Sequence, residues 1–308
     1  MLDELLARFR AGDRLALSRL LTHAAQGEHL VEILSGLPSP ESTARVIAIT
    51  GSAGVGKSTL IGKLLGTLRN HDLRVAVLAC DPQSPLTGGA LLGDRFRMPP
   101  FPEDQGVFIR SLAAAPGRSA LADHLRAMIR LLEVFGFQII IIETVGAGQA
   151  DVAVRELADA VLLVLQPETG DELQWEKAGV FEVADVIAIN KGDLPQAQQT
   201  LGEVTSTLSL AKDSSVPVLL VSAKTGNGIE GLWETISTRT RHRHSLMERQ
   251  RDLLSAAQQW LAAGFDHLVS HASPELDQIL NQWQQGRIGT QTAAEQLIAL
   301  LDEKCGDR

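Results

Sequence analysis

Seven short stretches of consecutive apolar residues run through the middle of the chain, separated by segments in which apolar residues recur at helical spacing. The seven stretches are 46–50, 75–80, 107–110, 139–143, 161–166, 186–190 and 216–221. Continuous apolar runs of this length are typical of strands that are buried on both faces of a parallel sheet. The pattern therefore predicts an α/β fold with a doubly wound, mostly parallel sheet, and it places a ligand at the carboxyl ends of the strands.

Helical patterns precede this region. Apolar residues at helical spacing fill residues 3–26, with a break at Gly12 and a restart after Asp13, a residue type that favours the helix N-cap. Two short helices are expected there. The prolines at 38 and 40 indicate a linker over residues 35–40, so the α/β domain is expected to begin near Arg45.

Helical patterns also follow the last predicted strand. Residues 228–240 predict a final core helix, and an apolar stripe over residues 253–268 predicts another helix. Ser273 and Pro274 begin a further one, and Thr292 with Glu295 has the spacing of a capping box. The chain is thus expected to divide into an N-terminal helical segment (1–44), an α/β domain (45–241) and a C-terminal helical extension (242–308). That extension either packs on its own domain or forms a dimer surface.

The segment Gly51-Ser52-Ala53-Gly54-Val55-Gly56-Lys57-Ser58 lies between the first predicted strand and a helical pattern at 60–68. Glycines in this arrangement let backbone amides point at phosphate groups, and the positive end of the next helix assists them. Lys57 is then expected to neutralise β- and γ-phosphate charge, and the Ser58 hydroxyl to bind Mg²⁺. The segment predicts a phosphate-binding loop for a nucleoside triphosphate.

A second motif, Asn190-Lys191-Gly192-Asp193, follows the sixth predicted strand and selects the base. A carboxylate at Asp193 can accept hydrogen bonds from guanine N1 and its 2-amino group, a donor pair that adenine lacks. Ser222-Ala223-Lys224 follows the seventh strand, where it is expected to close over the base. The order of the three motifs indicates GTP or GDP as the ligand.

Acidic residues end two strands between these motifs. Asp81 follows the second predicted strand and Glu143 ends the fourth. Carboxylates that face a bound triphosphate can hold Mg²⁺ or orient the attacking water. Asp81 and Glu143 are therefore candidate catalytic and metal-binding residues, together with Ser58 as a metal ligand.

Composition narrows the classes of partner and compartment. The chain has 308 residues, 44% of them hydrophobic, and a formal net charge of −9, which argues against a broad nucleic-acid surface. Its 2 cysteines do not suggest a disulfide framework. The chain contains no signal-peptide pattern and no run of about 18 apolar residues. A cytoplasmic protein without a nucleic-acid or membrane partner is expected.

Longer motifs resemble those of the MeaB/ArgK family of methylmalonyl-CoA mutase-associated GTPases. The segments that carry the resemblance are 81–84, 87–95, 108–111, 143–149 and 169–174, with the sequences DPQS, TGGALLGDR, FIRS, ETVGAGQ and TGDELQ. The resemblance implies a homodimeric P-loop GTPase that depends on Mg²⁺ and serves an adenosylcobalamin-dependent acyl-CoA mutase as a chaperone, gating cofactor delivery and protecting the enzyme.

The resemblance also implies roles for individual positions. It places Asp94 in a first switch, Gln149 in a second and Lys177 in a third, as catalytic candidates beside Lys57, Asp81 and Glu143. It adds Asp94 to the metal ligands. The nucleotide-binding residues implied by the motifs are Gly51, Ala53, Gly54, Val55, Gly56, Lys57, Ser58, Thr59, Asn190, Lys191, Asp193, Ser222, Ala223 and Lys224.

The chain departs from the family pattern in two segments that are expected to respond to a partner protein. Residues 114–121 lack a pair of glycines that relatives usually carry, and Trp175-Glu176 replaces a small or polar residue followed by an apolar one. Three alternatives stay open: a nickel-delivery GTPase using His242 and His244, a small-molecule kinase with the same phosphate loop, and an interaction protein that keeps its nucleotide as a structural ligand.

Overall fold

A computed structural model describes residues 2–40, 42–81, 104–113, 118–144, 157–167, 184–210, 216–239 and 273–305, with single helical positions between 254 and 269. The helices are α1 (Leu2–Arg10), α2 (Arg14–Gln26), α3 (Leu30–Gly36), α4 (Lys57–Asn70), α5 (Arg118–Val134), α6 (Ala197–Leu210), α7 (Ile229–Thr238), α8 (Pro274–Gln284) and α9 (Thr290–Cys305). The strands are β1 (Arg45–Thr50), β2 (Val75–Asp81), β3 (Val107–Ala113), β4 (Ile139–Glu143), β5 (Ala160–Leu165), β6 (Val186–Ile189) and β7 (Val218–Leu220).

The strands form one sheet in the order β3-β2-β4-β1-β5-β6-β7, with every neighbouring pair parallel. The predicted doubly wound sheet is confirmed. The chain runs from β1 to β2 and β3 at one edge, returns to β4 between β2 and β1, and then continues through β5, β6 and β7 on the other side, so the strand order reverses beside β1. In open α/β sheets this point, at the carboxyl ends of the strands, is where ligands bind.

Successive side chains of the central strands pack on opposite faces of the sheet. Val46 and Ala48 of β1 pack in a core with α2 and α5, whereas Ile47 and Ile49 pack with α4 and α7. Both faces are therefore covered by helices, which explains why the strands carry apolar residues without alternation.

The N-terminal helices belong to the first of these cores. Asp13 caps α2 as predicted, because its carboxylate accepts hydrogen bonds from the amides of Leu15 and Ala16. The predicted linker over residues 35–40 is wrong at its start, since α3 continues to Gly36. This helix forms because Ile33, which is fully buried, packs into the core beside α2 and α5.

The chain divides into two compact units, Met1–His244 and Ser245–Arg308. The second unit has its own small core of Leu268, Leu276, Leu300 and Leu301. Helix α8 begins at Pro274 as predicted, but the capping box at Thr292 is wrong, because the Gly289 carbonyl accepts from the Ala293 amide and α9 starts at Thr290. In the ranges that the structure describes, no helix is long and apolar enough to cross a membrane.

Candidate nucleotide-binding site

The loop between β1 and α4 is held in a conformation that requires glycine. Gly51, Gly54 and Gly56 have φ angles of 143°, 83° and 93°, a region that other residues rarely adopt. A Cβ atom on Gly51 would lie 2.2 Å from the Val164 carbonyl oxygen of β5. The loop therefore packs against the neighbouring strand, with Ala53 and Gly54 exposed at its tip.

Lys57, the first residue of α4, folds back onto this loop. Its Nζ donates to the carbonyl oxygens of Gly51, at 2.7 Å, and Ser52, at 2.9 Å, and the residue is only 8% exposed. A buried ammonium group needs such acceptors because burial without partners is costly. The amine is thus held at the loop that is predicted to bind phosphate.

Ser58 and Glu143 meet beside the loop. The Ser58 hydroxyl donates to Glu143 Oε1 at 2.8 Å, and both side chains are buried. The sheet brings them together, because Glu143 ends β4 in register with Ile49 of β1 and Ala79 of β2. Their oxygens are hard ligands, and hydroxyl and carboxylate groups beside a phosphate loop fit the donor set that Mg²⁺ prefers. The two residues therefore suit a magnesium ion bound together with a phosphate group.

The other predicted acidic and switch residues are described only in part. Asp81 ends β2 in register with Ala113 of β3, at the same edge of the sheet as Glu143, and its side chain is not among those described. Asp94, Gln149 and Lys177 lie outside the described residues. Their roles rest on the sequence.

Asn190 joins the phosphate loop to the loop after β7. Its Nδ2 donates to the Val55 carbonyl at 2.8 Å, and its Oδ1 accepts from the Ala223 amide at 3.0 Å. The residue is 2% exposed. A Cβ atom on Gly56 would lie 2.5 Å from this Nδ2, so the lack of a side chain at Gly56 lets the amide reach the loop. Two segments far apart in sequence are thereby fixed relative to each other.

Asp193 lies next to Ser222 at the far end of the same pocket. The Ser222 hydroxyl donates to Asp193 Oδ1 at 2.6 Å and accepts from the Thr225 amide. The Ser222 hydrogen bond is the main cause that lowers the pKa of Asp193, and the charge of Lys224 adds to it. Asp193 is therefore held as a carboxylate that accepts hydrogen bonds, which is the form that guanine recognition needs.

The turn before Asp193 is also tightly built. Lys191 has a φ of 57°, and the Gly192 amide donates to the Val221 carbonyl at 2.8 Å. A Cβ atom on Gly192 would lie 2.9 Å from that oxygen. The segments that follow β6 and β7 approach each other closely here. This explains why the residue between Lys191 and Asp193 is a glycine.

A pocket of about 280 Å³ opens between these loops. Its lining comes from the phosphate loop, from helix α4 and from the loops that follow β6 and β7, which are called here the base-side loops. The lining residues are Gly56, Thr59, Asn190, Lys191, Asp193, Leu194, Ala223 and Lys224. The structure thus brings together residues from all three predicted nucleotide motifs.

Sequence reasoning missed three features of this pocket. It assigned no role to Leu194, although this residue lines the pocket directly after Asp193. It also missed that Asn190 bonds to the phosphate loop and that Ser222 fixes the Asp193 carboxylate. The motif order alone contained a signal, because residues at the ends of neighbouring parallel strands are expected to meet.

The family model described as "Methylmalonyl Co-A mutase-associated GTPase MeaB" matches residues 15–274. A protein of Pyrococcus abyssi named as a candidate GTPase is 37% identical over 314 aligned positions, covering 97% of this chain and 96% of that protein. GTPase ArgK of Escherichia coli is 33% identical and covers 76% of this chain and 75% of its own length. A crystal structure of an LAO/AO transport system kinase has the same fold, with a TM-score of 0.59, 23% identity and coverage of 98% of this chain and 97% of that one.

Proposed function

The chain belongs to the MeaB family of methylmalonyl-CoA mutase-associated GTPases, and from this premise we propose that it couples GTP hydrolysis to the service of an adenosylcobalamin-dependent acyl-CoA mutase. As a member of a P-loop GTPase family, it hydrolyses GTP to GDP and phosphate. The proposal concerns the roles of individual residues, the need for Mg²⁺ and the partner protein. In this role, the bound nucleotide, GTP or GDP, determines whether the mutase receives or retains its cofactor.

One observation carries the assignment of the site. Asn190 is hydrogen-bonded to both Val55 of the phosphate loop and Ala223 of the base-side loop. This buried amide supports the proposal, because it fixes the phosphate loop and the loop after β7 relative to each other. A single guanine nucleotide can then contact Lys57 with its phosphates and Asp193 with its base.

Residues of the phosphate loop bind and orient the triphosphate. Lys57 exchanges its two carbonyl acceptors for phosphate oxygens, which offer a full negative charge in place of a dipole. Ser58 and Glu143 would hold Mg²⁺, with Asp81 and Asp94 as further candidates for its ligands or for the water molecules bound to it. A bound Mg²⁺ neutralises the charge that develops on the phosphates during transfer. We assign the attacking group to water, because phosphate is the product.

The switch residues complete this proposal. Gln149 is assigned to the second switch, where an amide can orient the attacking water, and Lys177 to a third switch that responds to the partner. A cation that approaches the phosphates when that switch closes stabilises charge in the transition state. Asp94 in the first switch reports whether the γ-phosphate is present.

Guanine selection is assigned to the base-side loops. Asp193 accepts from the two guanine donors, while Lys191, Ala223 and Lys224 enclose the base. An adenine ring would leave the carboxylate without its two donors, which costs affinity when the pocket excludes water. We therefore expect the affinity for GTP to be well above that for ATP. Such a result would argue against the kinase alternative.

Calorimetric titration of the full chain with GTP, GDP and ATP tests the site. The Lys57→Ala variant is expected to lose at least about a hundredfold in GTP affinity, since charge-assisted contacts to phosphate are lost. Lys63→Ala is the matched control, because Lys63 is an exposed lysine on the same helix, and it should bind GTP as the wild type does. Equal affinity for ATP and GTP, or unchanged GTP binding by Lys57→Ala, would refute the assignment.

The mutase partner is supported by family membership, because the matching family is described as methylmalonyl-CoA mutase-associated. A mouse protein named as the mitochondrial methylmalonic aciduria type A homolog is 38% identical over 200 aligned positions, covering 62% of this chain and 48% of that protein. We further propose a cytoplasmic homodimer. A pull-down from the native cell, with GDP or a non-hydrolysable GTP analogue bound, should recover an acyl-CoA mutase in one nucleotide state preferentially.

Nickel delivery is the weaker alternative. His242 and His244, the residues on which it would depend, lie outside the described residues. Recovery of a nickel enzyme in place of a mutase would favour it. Recovery of a mutase without any stimulation of GTP turnover would favour the interaction protein with a structural nucleotide.

A further inference from the structure

Leu194 lines the nucleotide pocket directly after Asp193, the residue to which we assign guanine selection. The residue is partly buried. Gly56 and Thr59 line the same pocket from the side of the phosphate loop, so Leu194 belongs to the other end of the pocket. It is therefore placed to meet the base of a bound nucleotide rather than its phosphates.

The backbone of Leu194 is fixed on both sides. Its amide donates to the Lys191 carbonyl at 2.9 Å, and its own carbonyl accepts from the Ala197 amide at 3.1 Å. Ala197 begins α6 and is fully buried, so this second bond ties Leu194 to a packed helix. Pro195 follows, and a residue before proline is biased towards extended backbone conformations. Leu194 is thus held in place by the turn before it and the helix after it.

Leu194 also differs in chemistry from the rest of the pocket. Among the lining residues in the described part of the chain, it alone has a large apolar side chain, and Ala223 from the other base-side loop is a small apolar residue. A branched hydrocarbon side chain cannot hydrogen-bond to phosphate oxygens or to the edge of a base. It gains free energy by covering apolar surface, and the faces of the base offer a nucleotide's largest surface of this kind.

We propose that Leu194 is a binding residue that packs on the face of the guanine ring, while Asp193 binds the edge of the same ring. The inference rests on the function proposed above, because it needs a guanine nucleotide in this pocket. In that proposal Lys191, Ala223 and Lys224 enclose the base. Leu194 adds the largest apolar contact among these residues, from a backbone position that the turn and α6 have already fixed.

Contacts to the face and to the edge of a base have different consequences. Asp193 distinguishes bases because its carboxylate needs two donors at the ring edge. ITP lacks the 2-amino group of GTP, but the faces of the two bases are alike. A contact with the face therefore raises the affinities for GTP, GDP and ITP by the same factor and leaves the preference for GTP over ITP unchanged. It is also equal in the ground state and the transition state, so it does not change the rate of the chemical step.

Calorimetric titration of the full chain with GTP, GDP and ITP tests this role. Leu194→Ala should lower all three affinities by the same factor, about fivefold or more, because apolar contact area is lost. The ratio of GTP affinity to ITP affinity and the single-turnover rate at saturating GTP should both stay at their wild-type values. Leu194→Met should recover most of the affinity, since it keeps an apolar side chain of similar volume. Leu280→Ala is the control, as it removes an exposed leucine from the other unit and should bind all three nucleotides as the wild type does.

Three results would overturn the role of Leu194. One is wild-type affinity for all three nucleotides in Leu194→Ala. Another is a lower ratio of GTP affinity to ITP affinity in this variant, which would mean that Leu194 only holds Asp193 in place. The third is binding by Leu194→Met that is no tighter than binding by Leu194→Ala. The proposed function fails by a separate result, which is equal affinity of the wild type for GTP and ATP. If the wild type prefers GTP, the variants bear on Leu194 alone.

Discussion

At the scale of single residues, Ser222 lowers the pKa of Asp193, the residue to which we assign guanine selection. Its hydroxyl donates to Asp193 and is itself fixed by the Thr225 amide. A carboxylate with a lowered pKa stays ionised to lower pH, and only the ionised form accepts from both guanine donors. In the proposed site, base recognition therefore depends on a serine that need not contact the nucleotide.

Removing this hydroxyl should make guanine binding sensitive to acid. In Ser222→Ala the pKa of Asp193 rises, so the contribution of its carboxylate, present above the pKa, is lost at a higher pH than in the wild type. We expect GTP affinity to fall about threefold to tenfold near neutral pH, from lost orientation, and further at acidic pH. Isothermal titration across pH measures both effects. Thr225→Ala is the control, and a wild-type pH profile in Ser222→Ala would contradict this role.

The residues with predictable roles were those whose chemistry follows from local sequence. Roles for Lys57 and Ser58 are predicted from local sequence, because the spacing of their loop glycines is typical of phosphate binding. The two bonds of Asn190 were missed, because they join loops that are adjacent only once the sheet has formed. Contacts between distant segments are invisible to local patterns, even when each segment is recognised.

At the scale of elements, Asn190 connects the phosphate loop to the loop after β7, and Gly56 leaves the space for this contact. Gly56 and Gly54 both have positive φ angles, but only Gly56 faces the Asn190 amide. The loop thus needs glycine at position 54 for its backbone conformation alone. At position 56 it needs glycine both for the backbone conformation and to leave space for the Asn190 side chain.

This pair of glycines provides a matched test. Alanine at either site costs about 1–2 kcal/mol from the left-handed conformation. Gly56→Ala also displaces Asn190 and should cost about 1–3 kcal/mol more, because buried hydrogen bonds are lost. Urea unfolding of both variants measures the difference. Equal free energies of unfolding for Gly54→Ala and Gly56→Ala would show that the bridge contributes nothing to stability.

Among the elements that the structure describes, the seven strands were predicted, whereas helix α3 and the start of helix α9 were not. Strands were predictable because burial on both faces gives uninterrupted apolar runs. Helix α3 was missed because it is short and ends next to Pro38, while its stability comes from packing Ile33 on other helices. The start of α9 was misplaced because the Gly289 carbonyl, which receives the first helical hydrogen bond, has no side-chain signature.

At the scale of the whole molecule, the N-terminal helices are part of the nucleotide-binding unit. Leu17 and Leu20 of α2 are fully buried in the core that also contains β1, β4 and α5. Arg110 of β3 adds polar contacts, donating to the Ser18 carbonyl and the Thr22 hydroxyl of α2. The sequence indicated these helices but not what they pack against, since an apolar stripe does not identify its partner surface.

Two leucines of α2 test this packing. Leu17→Ala should destabilise the first unit by about 2–5 kcal/mol, because it removes fully buried methyl groups. Leu15→Ala, on the same helix at a site that is 54% exposed, should change stability by no more than about 0.5 kcal/mol. Thermal unfolding followed by circular dichroism, with and without GDP, gives both values. Similar effects of the two substitutions would mean that α2 does not belong to this core.

The most direct test of the proposed function is the rate of GTP hydrolysis by the full chain, measured alone and with the adenosylcobalamin-dependent acyl-CoA mutase of the same organism. We expect the mutase to raise the rate about tenfold or more, as when a partner positions catalytic groups. We expect Lys57→Ala to stay inactive in both conditions. A rate that the mutase leaves unchanged, at concentrations where the two proteins form a complex, would contradict the coupling between GTP hydrolysis and the mutase.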